Sequence, residues 1–155
     1  MIRFGTDGVR GVAFEQLTLD YVTRLGCVAA RRLGGATVLI GRDTRESGEQ
    51  LATALASGLI AGGSRVDYLG MLPTPAIAYL AQANGCAAAA ITASHNPYHD
   101  NGVKLFSVGG TKLTDDVQAA IESDLQSLEI PTIARLESLE RVDRSRPYVD
   151  HVVSS

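Results

Sequence analysis

The sequence predicts an α/β protein, a three-layer α/β/α sandwich built on a mostly parallel, mixed sheet of four strands. Three observations predict it. Short aliphatic and β-branched runs alternate along the chain with longer stretches of helical period. The run ATVLIG (36–41) carries no polar alternation, as a strand covered on both faces does. Three loops each follow a predicted strand directly, which in a parallel sheet gathers them beyond one edge. With 155 residues, 45% of them hydrophobic and 20% charged, the chain is long enough for one domain with a buried core.

The first helix is predicted from Leu17 to Leu33, where Val22, Leu25, Ala29 and Leu33 recur at helical spacing and Gly34–Gly35 supply the stop. Residues 36–41 (ATVLIG) read as a buried strand. Ser47 and Gln50 form a capping-box pattern ahead of Leu51, Leu55 and Leu59, which marks the second helix. Residues 64–70 read as the next strand and 73–84 as a helix opened by prolines. The alanine-rich run 86–92 is read as a central strand, 102–106 (GVKLF) as the fourth, and 107–113 as a turn. Thr114 to Leu128 is an amphipathic helix, with Asp115–Asp116 suited to its N-terminus. The loops at 41–45 (GRDTR), 70–75 (GMLPTP) and 92–97 (TASHNP) are then expected around one cleft.

Composition excludes several classes of function. A net charge of −3, with arginines scattered along the chain, leaves no basic stripe for nucleic acid. Cys27 and Cys86 sit apart in apolar surroundings, which suits neither a disulfide framework nor a zinc site. No apolar run reaches membrane-spanning length, and the N-terminal residues do not read as a signal peptide, so the expected location is the cytoplasm. Twelve arginines stand against two lysines, Lys104 and Lys112, both in or just after the loop that begins at Thr92.

That loop and its flank, TASHNPYHDNGVKLF (92–106), concentrate the reactive side chains. A serine-hydrolase triad is a poor fit, because Ser94 and His95 are immediate neighbours whose side chains diverge in an extended segment, and no G-x-S-x-G elbow surrounds the serine. Metal binding by His95 and His99 is opposed by Pro97, which disfavours the helix their spacing would need. Phosphoryl transfer fits more of the residues. Ser94 can carry a phosphoryl group, Lys104 can move a proton, and Arg10 supplies a fixed positive charge. Asn96 and Asn101 are the phosphate-binding candidates, and Asn101–Gly102 also makes the turn that brings Lys104 back. Near the N-terminus, FGTDGVRG (4–11) spaces three glycines around Arg10 and reads as a turn that lets backbone approach a phosphate.

Taken together, FGTDGVRG, GRDTRESG and TASHNPYHDNGVKLF, in this order and at this separation, resemble the first domain of the α-D-phosphohexomutases over nearly the whole chain. The resemblance implies that Ser94 is the phosphorylated residue and exchanges its phosphoryl group with a hexose monophosphate through a bisphosphate. It also implies that His95, Lys104 and Arg10 serve acid/base work and charge stabilisation around it. Within the family the likeness is to the branch that handles glucosamine phosphates on the route to cell-wall precursors, so the implied substrate is a hexosamine phosphate. A phosphomannomutase or phosphoglucomutase domain is the alternative, as is a non-catalytic binding module of the same fold.

The family also implies Mg²⁺, bound by three aspartates of a second domain and by the phosphoryl oxygen on Ser94. This chain has no D-x-D-x-D run. The expectation is therefore a catalytic-serine domain at 1–140, the start of a linker at 141–155, and further domains of the same protein as partners. Alone, the chain is expected to be inactive and, with its apolar faces uncovered, prone to self-association.

Overall fold

The computed structural model describes residues 8–33, 36–93, 96–127 and 132–142. Their elements follow in the order β1 (Val9–Val12), α1 (Leu19–Arg32), β2 (Val38–Arg42), α2 (Gly48–Ala61), β3 (Val66–Met71), α3 (Thr74–Asn84), β4 (Ala87–Ile91), β5 (Asp100–Ser107), β6 (Thr111–Lys112) and α4 (Asp115–Ser127). The sheet runs β1-β5-β4-β2-β3, with β6 added to β5. Pairing is parallel for β3/β2 and β2/β4 and antiparallel wherever β5 takes part.

Among the described residues six strands replace the four expected. The four predicted runs are β2, β3, β4 and β5. The additions lie where glycines hide a short strand. Val9–Val12, which overlaps the stretch 4–11 read as a turn, is extended because it pairs with Asp100–Val103. Thr111–Lys112 folds back on Phe106 and Ser107 after Gly109 and Gly110, whose φ values of 94° and 78° only glycine adopts freely. Neither strand is long enough to announce itself by pattern; both exist through their partner.

The side-chain period of two sorts each central strand between two cores. Val38, Ile40, Ala87, Ala89, Ile91, Val103 and Leu105 face α1, α2 and α4. Leu39, Ala88, Ala90 and Phe106 face α3 through Ile77, Leu80 and Ala81. That is the three-layer arrangement, with β4, almost all alanine, fully buried at its centre.

Local signals account for most helix ends. The Thr18 hydroxyl caps α1 by accepting from Tyr21 N–H at 3.0 Å. Its last turn closes on Leu33, whose N–H bonds to Ala29 O at 2.8 Å; the predicted glycine stop, Gly34–Gly35, lies outside the described residues. Helix α3 starts after Pro73 and ends on Gly85 in the left-handed conformation. The capping box expected for α2 does not form. Ser47 has helical backbone angles and makes no side-chain cap; its hydroxyl instead accepts a hydrogen bond from Asn101 Nδ2 at 2.9 Å.

Helices α1 and α2 cross at backbone contact. A Cβ placed on Gly58 would overlap the Thr23 carbonyl oxygen, and one on Gly26 would overlap that of Leu55. Across the same layer Arg32 forms a two-pronged ion pair with Asp124 of α4, at 2.8 and 3.0 Å. The hydrogen bonds from Arg32 hold the Asp124 carboxyl below its ordinary range.

Beyond α4 the chain returns to the sheet. Leu136 N–H bonds to the Ser57 hydroxyl at 2.8 Å, and Val142 N–H bonds to Tyr68 O at 2.7 Å, beside a bridge from Arg141 to Tyr68. The segment expected to begin a linker at 141 thus starts with two residues still bonded to the edge of β3, and 143–155 lie outside the described residues. Among the described residues no helix is long and apolar enough to cross a membrane.

Candidate active site

The carboxyl ends of β2, β3 and β4 meet as the sequence predicts. Asp43 N–H bonds to Ile91 O and Leu72 N–H to Arg42 O, each at 3.1 Å, so the loops opening at residues 43, 72 and 92 share one edge. Arg42 stands at that edge, its Nε bonded to the Tyr68 hydroxyl at 2.8 Å and its Nη1 to Asp43 O at 3.1 Å. With Thr44, Met71, Leu72 and Pro73 it lines an open hollow of about 330 Å³.

Strand β5 carries or pairs with the predicted cations. Arg10 on β1 sits opposite Gly102, and Lys104 lies two residues further along β5, so both project from the same face of the sheet. Gly102 is required there: an added Cβ would lie 2.6 Å from Val9 O, 2.7 Å from Thr92 O and 2.9 Å from Arg10 Cγ. Arg10 is exposed and Lys104 half-buried, its ammonium 5.5 Å from the centroid of Phe106. Thr92 N–H bonds to Gly102 O at 3.0 Å, which places the start of the 92–99 loop one strand from Arg10. Ser94 and His95, the proposed nucleophile and its neighbour, lie outside the described residues, and with them the expected metal contact at Ser94.

Both shoulders of the loop are fixed. On the entering side the Thr92 hydroxyl donates to Asp43 Oδ2 at 2.7 Å. On the leaving side Asn96 N–H closes a turn on Ala93 O at 3.0 Å, and Asn96 O accepts from Arg45 Nη2 at 2.9 Å. Arg45 and Asp43 are ion-paired to one another, and Arg45 N–H also bonds to Asp43 Oδ1 at 3.1 Å. The tip is held by Asp100 N–H on Pro97 O at 2.9 Å and by Ala13 N–H on His99 O at 3.1 Å. Asp43 and Arg45 were given no role by sequence, although their loop was placed at the cleft. In the sequence they show only as a D-x-R step directly after a strand, which does not by itself separate a buried pair from two solvated charges.

The two asparagines part company. Asn96 is half-buried in the loop, its Nδ2 at 3.4 Å from Asp100 Oδ2. Asn101 is fully buried. Its Oδ1 accepts from Gly102 N–H and its Nδ2 donates to Ser47, both at 2.9 Å. This geometry ties the N-terminus of α2 to β5 and leaves the Asn101 carboxamide facing protein, where a phosphate contact had been expected. Asn101→Ala removes two buried hydrogen bonds, and we expect a loss of about 1–3 kcal/mol in urea-unfolding stability; an unchanged midpoint would show the pair to be dispensable. Among the described residues no three His, Cys, Asp or Glu side chains converge on a metal position.

The class of protein is defined by comparison with known families. Residues 1–130 match the profile of the phosphoglucomutase/phosphomannomutase α/β/α domain I, and the chain belongs to that family. Among curated relatives it is 46% identical to a phosphoglucosamine mutase of Vibrio cholerae and 45% identical to one of Nitrosococcus oceani, each over 98% of this chain. It spans 36% and 35% of their respective lengths. Among solved structures, a Thermus thermophilus protein described as a phosphomannomutase superposes with a TM-score of 0.84 at 34% identity, over 99% of this chain and 36% of that one. A phosphoglucomutase/phosphomannomutase family protein of Burkholderia thailandensis follows, with a TM-score of 0.78 at 30% identity, over 100% of this chain and 36% of that one.

Proposed function

We propose that this chain is the phosphoserine-bearing first domain of a phosphoglucosamine mutase, with Ser94 as the residue that carries the phosphoryl group. The observation that carries the reading is the placement of Arg10 and Lys104 on one face of the sheet beside the 92–99 loop, in a chain 46% identical to phosphoglucosamine mutases. Phosphoryl transfer asks little covalent chemistry of a protein. It asks for a positioned oxygen and for cations around a charge that spreads over three oxygens in the transition state.

In the complete enzyme a sugar hydroxyl attacks the phosphorus on Ser94. The new P–O bond forms as the P–Oγ bond breaks; the sugar hydroxyl gives up its proton and the departing Ser94 Oγ takes one, transfers for which Lys104 and His95 are the candidates. Arg10 stays charged throughout, and its role is to offset the negative charge spread over the phosphoryl oxygens. The resulting hexosamine bisphosphate returns its other phosphoryl group to Ser94, so that 6-phosphate and 1-phosphate interconvert and the serine is restored.

The family is generally Mg²⁺-dependent. The described residues do not by themselves form a Mg²⁺ site, so this domain's part would be the phosphoryl oxygen on Ser94, with the remaining ligands outside this chain. Asn96 is the neutral phosphate contact, and Asn101 shapes the loop from behind. The reaction belongs to sugar metabolism in the cytoplasm, feeding cell-wall precursors.

A coupled assay tests the reading. The complete enzyme is expected to turn over glucosamine 1-phosphate with kcat/KM at least about tenfold above glucose 1-phosphate or mannose 1-phosphate. The 155 residues alone are expected to show no turnover. A preference for glucose or mannose 1-phosphate would reassign the domain within its family.

A further inference from the structure

We infer that Asp43 and Arg45 act together as a clamp that sets the position of the reactive serine without touching the substrate. The inference deepens the reading of Ser94 as nucleophile and rests on it. Its basis is an ion pair that the chemistry above does not use.

Arg45 is 8% exposed, although it stands in a loop at the end of β2. A guanidinium is seldom taken out of water in such a place unless its partners are fixed. Those partners sit on both sides of the same two residues. Asp43 Oδ2 accepts from the Thr92 hydroxyl at 2.7 Å, two positions before Ser94. Arg45 Nη2 donates to the carbonyl oxygen of Asn96 at 2.9 Å, two positions after it. The Asp43–Arg45 pair joins these contacts, so one charged unit grips the loop at both ends.

The unit is itself held. Asp43 N–H is anchored on Ile91 O, the last residue of β4, at 3.1 Å. Arg45 N–H bonds to Asp43 Oδ1 at 3.1 Å, which fixes the carboxylate plane. The clamp therefore refers the loop to the rigid end of two adjacent parallel strands. For a serine that must meet phosphorus in line, a displacement of about 1 Å can cost roughly 100-fold in rate. Arginine suits the role better than lysine, because one planar fork reaches a carboxylate and a carbonyl at once.

Two kinds of measurement test the clamp. In the 155-residue chain, Arg45→Ala and Thr92→Val are followed by amide hydrogen exchange. Protection of the Asn96 amide is expected to fall about tenfold or more, while amides of α1 and β2 keep theirs. Thr92→Val removes a single hydroxyl, so it covers the case in which Arg45→Ala fails to fold.

In the complete enzyme, Thr92→Val and Arg45→Lys are expected to lower kcat by about 10- to 100-fold with KM within about threefold. Added guanidinium is expected to restore part of the activity lost in Arg45→Ala. Unchanged exchange at Asn96 in both variants would overturn the clamp, as would losses confined to KM. Phosphate retained on a Ser94→Ala protein would instead overturn the nucleophile assignment, and the exchange result would stand or fall independently of it.

Discussion

Ser94→Ala is expected to yield a protein that carries no covalent phosphate, and turnover of the complete enzyme is expected to fall by about 10⁴-fold or more. The size of the effect follows from the route. A phosphoryl group that visits the protein between two positions of one sugar needs an oxygen to receive it, and alanine offers none. Cations such as Arg10 and Lys104 remain in the variant, yet they stabilise charge only on a group that has somewhere to go. Intact-protein mass spectrometry after incubation with a hexosamine bisphosphate reads the result directly. The wild-type protein is expected to gain the mass of one phosphoryl group and the variant none. A phosphorylated variant would require another nucleophile, with His95 and His99 as the nearest histidines in the sequence.

Gly58→Val is the second large expectation, and it concerns stability. At Gly58 the backbone of α2 lies against that of α1, and a Cβ has no room beside the Thr23 carbonyl oxygen. That oxygen is backbone and cannot rotate away, so the two helices must separate. The separation reopens contacts made by Val22, Leu25, Leu55 and Leu59, all fully buried. We expect a loss of about 3 kcal/mol or more, which for a chain of this size is a fall of about 6–12 °C in Tm. Gly63→Ala is the control: an added Cβ there meets nothing within 4 Å, and the cost is confined to its positive φ. Equal melting temperatures for Gly58→Val and the wild type would mean that the close crossing of α1 and α2 is not a constraint.

The sequence was most legible where a residue's neighbours in the chain decide its conformation. Uninterrupted apolar runs became β2 and β4, the helix from Thr114 appeared within one residue of its predicted start, and the proline-led helix ended on its glycine. Legibility failed where a distant partner decides. Val9–Val12 is a strand because β5 lies beside it, and Ser47 abandons its cap because Asn101, more than fifty residues on, takes its hydroxyl. The site divides in the same way. Arg10 and Lys104 could be picked out by their charge and by the rarity of lysine, and the three loops by their position after strands. Asp43 and Arg45 could not, since nothing local distinguishes a buried ion pair from two solvated charges. The return of the chain through Thr92 and Asn96 gives them partners beyond each other. Asn101 was placed correctly in the loop's return but matched to the wrong neighbour, because a polar side chain near a reactive serine reads the same whether it faces inward or outward.

The reversal of β5 has a consequence for how the chain can vary in length. Because β4 and β5 run antiparallel, no helix intervenes between them, and Thr92–His99 is all that joins the two strands. Side chains on β5 alternate between the α3 layer and the opposite one, so adding or losing a single residue between Asn101 and Lys104 would turn the ammonium over to the wrong layer while leaving the ladder intact. Changes in pairs preserve the outlook of Lys104 but still break its alignment with Arg10. Insertions are thereby confined to the outer bend around Tyr98, which is 62% exposed, and the spacing from Asn101 to Lys104 becomes a ruler that the molecule cannot stretch.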